Sequence, residues 1–488
     1  MRTFFFLLTL ASFILSCTES SQKTSATTTN PQITLILVQP KVHRMAKTPT
    51  GMTTGIGAPG EELSVMDSNY VFRAITVKYS PENDTVRINL GRSSTQVNFR
   101  YKAFDELHFL LKEGDTAIVN YDSGQIMTRI TNRATKPLDL NLDLYLRNKL
   151  YNNDYPSLAK AIYTWFLVPL KGPSDLGPAR DSFLLEANVQ VEKENKILDS
   201  LLSAQSISQD YYEFFHSRNL FRLETIKIYQ SGEYIRPAWT KDTSYLANQF
   251  YRDFLFGLFE KNIVKKLDRI TTSTGANIDY RIAFDRVTDS EFTAVEKDVL
   301  HSYILEEIIR YGSRDDIEQY FKKFSTIVSN RSLVERAKAE HNLDFNSSDQ
   351  LQLQTFSKEN TYFSKVLEQN RGKVVYVDFW ASWCAPCIAA LPASEELRKE
   401  YQGKNVSFIF LSKDEDFEKW VKSATKFKLV NRNSFIINNQ YTSDMLDELK
   451  IKEIPRYLIY DKAGKLVHKN APGPEGPEVR KLLDTYLR

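Results

Sequence analysis

Alternation of apolar and polar residues runs through the first part of the chain. It is clear from Thr34 to Val38 and again between Val71 and Arg133, as in Phe72-Arg73-Ala74-Ile75-Thr76-Val77-Lys78-Tyr79 and Val86-Arg87-Ile88-Asn89-Leu90. A period of two gives each strand one apolar and one polar face. The turn formers Pro81-Glu82-Asn83-Asp84, Glu113-Gly114-Asp115 and Asp122-Ser123-Gly124 divide the strands. This pattern predicts a β-rich domain over 31–137, folded as a small antiparallel β-sandwich. The Gly- and Thr-rich run from Thr48 to Gly60 is expected to be a surface loop.

From Leu138 the period lengthens to that of a helix, as in the stripe Val295, Val299, Ile304, Leu305, Ile308, Ile309 and in Ile197, Leu198, Leu201, Leu202. A middle α-helical domain over 138–349 follows. Its aromatic positions, among them Tyr211, Phe214, Phe215, Phe250, Tyr251, Phe254 and Phe259, are expected to pack against neighbouring helices rather than line a peptide groove. His216, His301 and Glu306 are expected to be surface or satisfied core groups rather than ligands.

A third pattern starts at Lys373. Val374-Val375-Tyr376-Val377-Asp378-Phe379-Trp380 is almost continuously apolar and rich in β-branched and aromatic residues, as a central strand buried on both faces should be. Ala381-Ser382-Trp383-Cys384-Ala385-Pro386-Cys387 then leads into a helical stretch from Ile388 to Tyr401. Farther on, Arg456 to Tyr460 and Lys465 to His468 read as strands joined by the turn Asp461-Lys462-Ala463-Gly464. These elements predict an α/β domain over 350–488.

Composition narrows the partners. Across 488 residues, 64 basic and 61 acidic side chains leave a formal charge of +3, which offers no surplus to attract nucleic acid. Three cysteines, Cys17, Cys384 and Cys387, are too few for a disulfide framework.

Strand, loop and helix place Cys384 at or just before a helix N-terminus, where free N–H groups and partial positive charge favour the thiolate. Cys384 is therefore the candidate nucleophile of thiol-disulfide exchange. Cys387, one turn further, can attack a mixed disulfide and resolve it. A zinc half-site lacks further ligands, since no second cysteine pair exists and His468 is the only histidine after His341. An inert bridge over two residues would constrain little of the unfolded chain.

The run Val377 to Cys387 resembles the active-site segment of thioredoxins, and the chain is similar to the membrane-tethered thiol-disulfide reductases of the TlpA/ResA type, including Bacteroidetes-type multidomain versions. That resemblance, which covers about residues 350–488, implies several roles. Asp378 would be a buried acid with a raised pKa that relays a proton behind the cysteines. Trp383, Ala385 and Pro386 would flank the active site. Ile454 would contact substrate through its backbone, and Pro455 would follow a cis peptide against the disulfide. No cofactor beyond a redox-active Cys384–Cys387 disulfide is implied, and no metal. Two features depart from the family: Ala390 stands where many ResA-like proteins have a glutamate, and the usual opening hairpin is not evident before Lys373, where Phe356 to Gln369 looks partly helical. Partners implied are disulfide-containing envelope proteins and a membrane electron donor. A thiol peroxidase is disfavoured by Ala381, at a position where peroxiredoxins usually carry Thr. A partner-binding lipoprotein with a scaffold thioredoxin domain is the non-enzymatic alternative.

The remaining cysteine has its own context. Phe4 to Leu15 is apolar, is too short to span a bilayer and fits a signal peptide over 1–16. Ile14-Leu15-Ser16-Cys17 resembles a bacterial lipobox, which would make Cys17 the lipidated first residue of a Ser/Thr-rich linker over 17–30. Lipid on Cys17 would attach the protein to a bilayer in the cell envelope, periplasm-facing or surface-exposed, because each buried methylene contributes about 0.8 kcal/mol. A Cys17→Ser variant is expected to leave the membrane fraction on cell fractionation; full retention would refute the lipid anchor.

Overall fold

The computed structural model describes residues 32–38, 62–66, 72–76, 84–89, 94–102, 105–120, 127–151, 177–230, 234–267, 269–272, 275–345, 350–430 and 433–488. Cys17, the signal peptide, the linker and the Thr48–Gly60 run lie outside the described residues. No helix among the described residues is long and apolar enough to cross a membrane. The chain divides into two compact units, Met1–Leu300 and His301–Arg488.

Among the described residues of the first unit the alternating segments form eight strands: β1 (Gln32–Val38), β2 (Glu62–Met66), β3 (Phe72–Thr76), β4 (Asp84–Asn89), β5 (Ser94–Lys102), β6 (Asp105–Lys112), β7 (Thr116–Asn120) and β8 (Met127–Ile130). They make two four-stranded sheets, ordered β4-β1-β7-β8 and β3-β2-β5-β6. The second is antiparallel throughout. The first is mixed, because β1 runs parallel to β7. This corrects the expected antiparallel sandwich: alternation reports which face of a strand is buried, and says nothing of the direction of its neighbour. The division into one apolar and one solvated polar face also fails at β5, where Gln96 and Asn98 are buried along with Val97. The Gln96 side chain donates to Asn98 at 2.6 Å and accepts from the backbone N–H of Gln249 at 2.9 Å, so its buried polar groups are satisfied.

Helices follow as the period predicts: α1 (Leu142–Tyr151), α2 (Gly177–Ser203), α3 (Gln209–Gln230), α4 (Gln249–Asn262), α5 (Tyr280–Thr288) and α6 (Ala294–Tyr311). A short hairpin, β9 (Arg269–Thr272) and β10 (Gly275–Ile278), interrupts them. The aromatic residues pack as a core. Phe221 meets Tyr251 edge-on at 5.0 Å between centroids, and Phe214, Phe215, Phe250, Phe254 and Phe259 are buried.

The second unit begins inside α6 and continues through α7 (Arg314–Ile327) and α8 (Arg331–Glu340). Ser313 and Asp316 form a reciprocal capping box that starts α7. Next come β11 (Gln352–Gln354), β12 (Asn360–Tyr362), α9 (Phe363–Gln369), β13 (Val374–Trp380), α10 (Ala385–Glu400), β14 (Val406–Ser412), α11 (Phe417–Lys426), β15 (Ser434–Ile437), α12 (Asp444–Glu448), β16 (Arg456–Tyr460), β17 (Leu466–His468) and α13 (Pro477–Leu487). The strands form one sheet ordered β12-β11-β15-β14-β13-β16-β17. β13 is parallel to β14 and antiparallel to β16, with helices covering both faces. This is a thioredoxin fold. The opening hairpin that the sequence did not reveal is present as β11 and β12, paired Gln352 to Tyr362 and Gln354 to Asn360. Three-residue strands are too short to show a period, which is why the segment reads only as the helix that follows.

All seven residues of β13 are buried. Val374, Tyr376 and Trp380 belong to one apolar cluster with Cys384 and Cys387, and Val375, Val377 and Phe379 belong to another on the opposite face. Trp420 of α11 fills the first cluster; it stacks on Phe356 at 4.2 Å and meets Phe417 edge-on at 5.4 Å. Trp420→Ala is expected to cost about 3–5 kcal/mol of unfolding free energy in urea, as loss of a fully buried aromatic does.

Candidate active site

Cys384 occupies the N-cap of α10, with extended backbone angles (φ −87°, ψ 94°). Its Sγ accepts a hydrogen bond from the backbone N–H of Cys387 at 3.2 Å, so a sulfur takes the place usually held by a Ser or Asp oxygen. Pro386 sits in the first helical turn, where a missing N–H costs nothing. Cys384 and Cys387 are joined as a disulfide. The Cys387 N–H aimed at Sγ, at the positive end of the helix, would stabilise the Cys384 thiolate once the bond is reduced.

The disulfide is largely enclosed, with Cys384 only 5% exposed. Around it Trp383, Ala385, Pro386 and Pro455 are exposed. Trp383, at 66%, is a large apolar side chain offered to solvent beside the sulfur. The Ile454–Pro455 peptide is cis, and the Ile454 carbonyl oxygen lies 3.7 Å from Cys384 Sγ.

Asp378 lies in the middle of β13 and is buried. Alternation along the strand puts it on the face of Tyr376 and Trp380, the face that meets the cysteines and α10. Ser394 Oγ of α10 donates to its Oδ2 at 3.0 Å. Burial pushes the carboxyl up to about 7, against the pull of the Ser394 hydrogen bond and with help from the charge of Glu475. Tyr376 and Tyr457 stack nearby at 5.4 Å, and the Tyr376 hydroxyl donates to the Pro472 carbonyl at 2.9 Å. Ala390, which replaces the family glutamate, is buried in the same helix.

Other polar residues shape the site without having stood out in the sequence. Asp414, just beyond β14, accepts from the Ser382 backbone N–H at 2.9 Å and from its hydroxyl at 2.6 Å, so it ties down the loop before the cysteines. Ser394 had a weak signal, since it lies two helical turns after Cys387 on the buried face. Asp414 had none, because only the parallel pairing of β13 with β14 brings it there.

One cluster has ligand-type side chains: atoms of Glu306, Glu340 and His341 lie within 4.8 Å of one another. His341 Nε2 is 2.7 Å from Glu306, and Nδ1 is 3.8 Å from Glu415. Burial pulls the imidazole down, yet the two carboxylates outweigh it and raise the pKa to about 10. Arg336 also pairs with Glu340 at 3.1 Å. The charges are those of an imidazolium held between acids, which leaves a metal ion little to neutralise.

A strand-end disulfide at a helix N-cap, faced by a cis-proline loop and backed by a buried acid, defines the thioredoxin class. Residues 372–466 match the thioredoxin-like family model. A ResA thiol-disulfide oxidoreductase of Bacillus cereus is 30% identical over 123 residues, which cover 25% of this chain and 66% of that protein, just under two thirds of its length. A putative thiol-disulfide oxidoreductase from Bacteroides vulgatus is 29% identical in its crystal structure, covering 28% of this chain and 90% of that one at a TM-score of 0.25. The thiol-disulfide oxidoreductase of Bacteroides fragilis NCTC 9343 is 24% identical, covering 28% and 96% at the same TM-score. Over this stretch the C-terminal domain is thioredoxin-like, and it resembles the TlpA/ResA type.

The raised pKa of Asp378 has a consequence for stability. In the unfolded chain the carboxyl ionises near 3.8, whereas in the folded chain it holds its proton up to about 7. Native stability is therefore undiminished below 3.8, falls as pH rises through that window and levels off above it. Asp378→Asn removes the titration, so the oxidised variant is expected to match wild type near pH 4 and to exceed it at pH 8 by at most on the order of 4 kcal/mol. Urea unfolding at the two pH values measures this; an equal difference at both would refute a carboxyl that is neutral in the native state.

Proposed function

We propose that this protein is a membrane-tethered thiol-disulfide oxidoreductase that reduces disulfides of cell-envelope proteins, anchored through lipid on Cys17. The observation that carries the chemistry is the Cys384–Cys387 disulfide at the N-cap of α10, with Cys384 Sγ beside the Ile454 carbonyl. The anchor rests on the sequence around Cys17, and the substrate class on what ResA-like relatives imply.

In the reduced enzyme the Cys384 thiolate attacks one sulfur of a substrate disulfide. The substrate S–S bond breaks, a mixed disulfide forms, and the departing thiolate takes up a proton. Cys387 then loses its proton, for which the ionised carboxyl of Asp378 is the acceptor on the same face of the sheet, and attacks Cys384 Sγ. The second substrate thiolate leaves and is protonated. Two electrons have passed from the dithiol to the substrate, and a membrane electron donor must return them. An acceptor that titrates near 7 is matched to the working pH of an exposed compartment. The backbone of Ile454 would align an extended substrate segment next to the sulfur, with exposed Trp383 contributing apolar contact.

Cys387→Ser cannot resolve the intermediate, so it is expected to accumulate client proteins as mixed disulfides on Cys384 that dithiothreitol releases. Wild type should reduce an insulin-type disulfide and Cys384→Ser should fall to background; equal rates in the two would favour a scaffold domain without redox turnover. A reduction potential near the roughly −120 mV of strong periplasmic oxidants would overturn the reducing direction.

A further inference from the structure

Ser412-Lys413-Asp414-Glu415, at the end of β14, touches each segment that frames the disulfide. The backbone N–H of Lys413 donates to the Trp380 carbonyl at 2.8 Å, and Asp414 holds Ser382 of the cysteine loop. The Lys413 side chain reaches the other wall: Nζ donates to the carbonyls of Ile451 at 3.1 Å and Lys452 at 3.2 Å. These carbonyls continue a row begun by Leu449 and Lys450, each accepting from Arg456 Nη2 at 3.2 Å. α12 ends at Glu448, so the carbonyls that follow lack helical partners and collect partial negative charge that cations satisfy. Two residues beyond Lys452, Ile454 presents its carbonyl to Cys384 Sγ.

We infer that Lys413 is a positioning residue for disulfide exchange: it fixes the cis-proline segment against the cysteine loop, and so sets the register in which a substrate strand lies beside Cys384. Its neighbour in sequence holds one wall of the site while its ammonium holds the other, so the gap between them is set by one short stretch of chain. The nearby Lys452 does not take its place, because its Nζ is itself engaged with the carbonyls of Tyr311 and Gly312. Arg456 serves the carbonyls before these two. The Lys413 stem is partly buried, and burial together with the charge of Lys452 pushes its pKa down to about 8. The inference rests on the exchange chemistry proposed above, since register matters only if a substrate strand binds there.

Full-length Lys413→Met keeps the length of the stem and removes the donors; Lys413→Arg keeps them. With a peptide disulfide, Lys413→Met is expected to raise KM about ten-fold, the order of losing one charge-assisted hydrogen bond, with kcat within about two-fold. Its rate with the small disulfide 5,5′-dithiobis(2-nitrobenzoic acid) should equal that of wild type, because the sulfur and its helix are untouched. Lys413→Arg should restore KM. Independently of turnover, hydrogen–deuterium exchange of the peptide spanning 446–456 should quicken about ten-fold in Lys413→Met and return toward wild type in Lys413→Arg. Unchanged exchange together with unchanged KM would overturn the role of Lys413, as would an equal loss of rate with both disulfides. Wild type inert toward both disulfides would instead refute the proposed function, and the exchange measurement would still decide whether Lys413 clasps the loop.

Discussion

β13 has no face toward water, and its seven residues include one ionisable carboxyl. Burying a carboxyl there is costly unless it stays protonated, and among the described residues the Ser394 hydroxyl is its hydrogen-bond partner in the core. The strand also sets the geometry of the site. Trp380 lies in register with Ser412 of β14, and Phe379 with Arg456 of β16. Adjacent strands stand roughly 4.8 Å apart, so the loops that continue from these three ends must converge. Cys384, Asp414 and Pro455 meet because their strands end at one level of the sheet.

Two acid sites in the second unit differ in what compensates their charge. Glu306 and Glu415 face the His341 imidazolium, so their charge is compensated and their contribution is structural. Asp378 has no such cation against it among the described residues, and burial is what holds its proton. A native state that keeps an acid neutral up to about pH 7 gives up stability at that pH. Such a sacrifice within an otherwise consistent core fits the proton-acceptor role proposed for Asp378.

The first unit uses its buried charges differently. Arg218 pairs with Asp143 and Glu194, each at 2.6 Å, while Asp143 also accepts from the His108 backbone N–H at 2.7 Å. Arg236 pairs with Glu296 at 2.5 Å, and the Tyr251 hydroxyl donates to the same carboxylate. These compensated networks join helix to strand and helix to helix, and their worth lies in specifying one arrangement of elements rather than in adding much stability.

Much of the C-terminal site was legible in the order of residues. An unbroken apolar strand and a Cys-x-x-Cys at the start of a helix each announce themselves locally, because the physics that makes them, strand burial and helix capping, acts over a few residues; the Ile-Pro before another strand took its meaning from the resemblance to thioredoxins. Asp378 was legible too, as the one charged residue in that strand. The hairpin β11–β12 was not, since strands of three residues carry no period and are held by pairing with β15. Nor was the parallel pairing of β1 with β7, because strand direction depends on how the chain returns. Lys413 and Asp414 read as ordinary surface charges in sequence; only the lateral alignment of β13, β14 and β16 turns them inward to the site. The chain by itself determined that a sulfur pair sits at a helix N-terminus above a buried acid. Tertiary structure alone decided the polar contacts of Lys413, Asp414 and Ser394 that hold that pair's surroundings in place, because those contacts join segments that strand pairing and helix packing bring together.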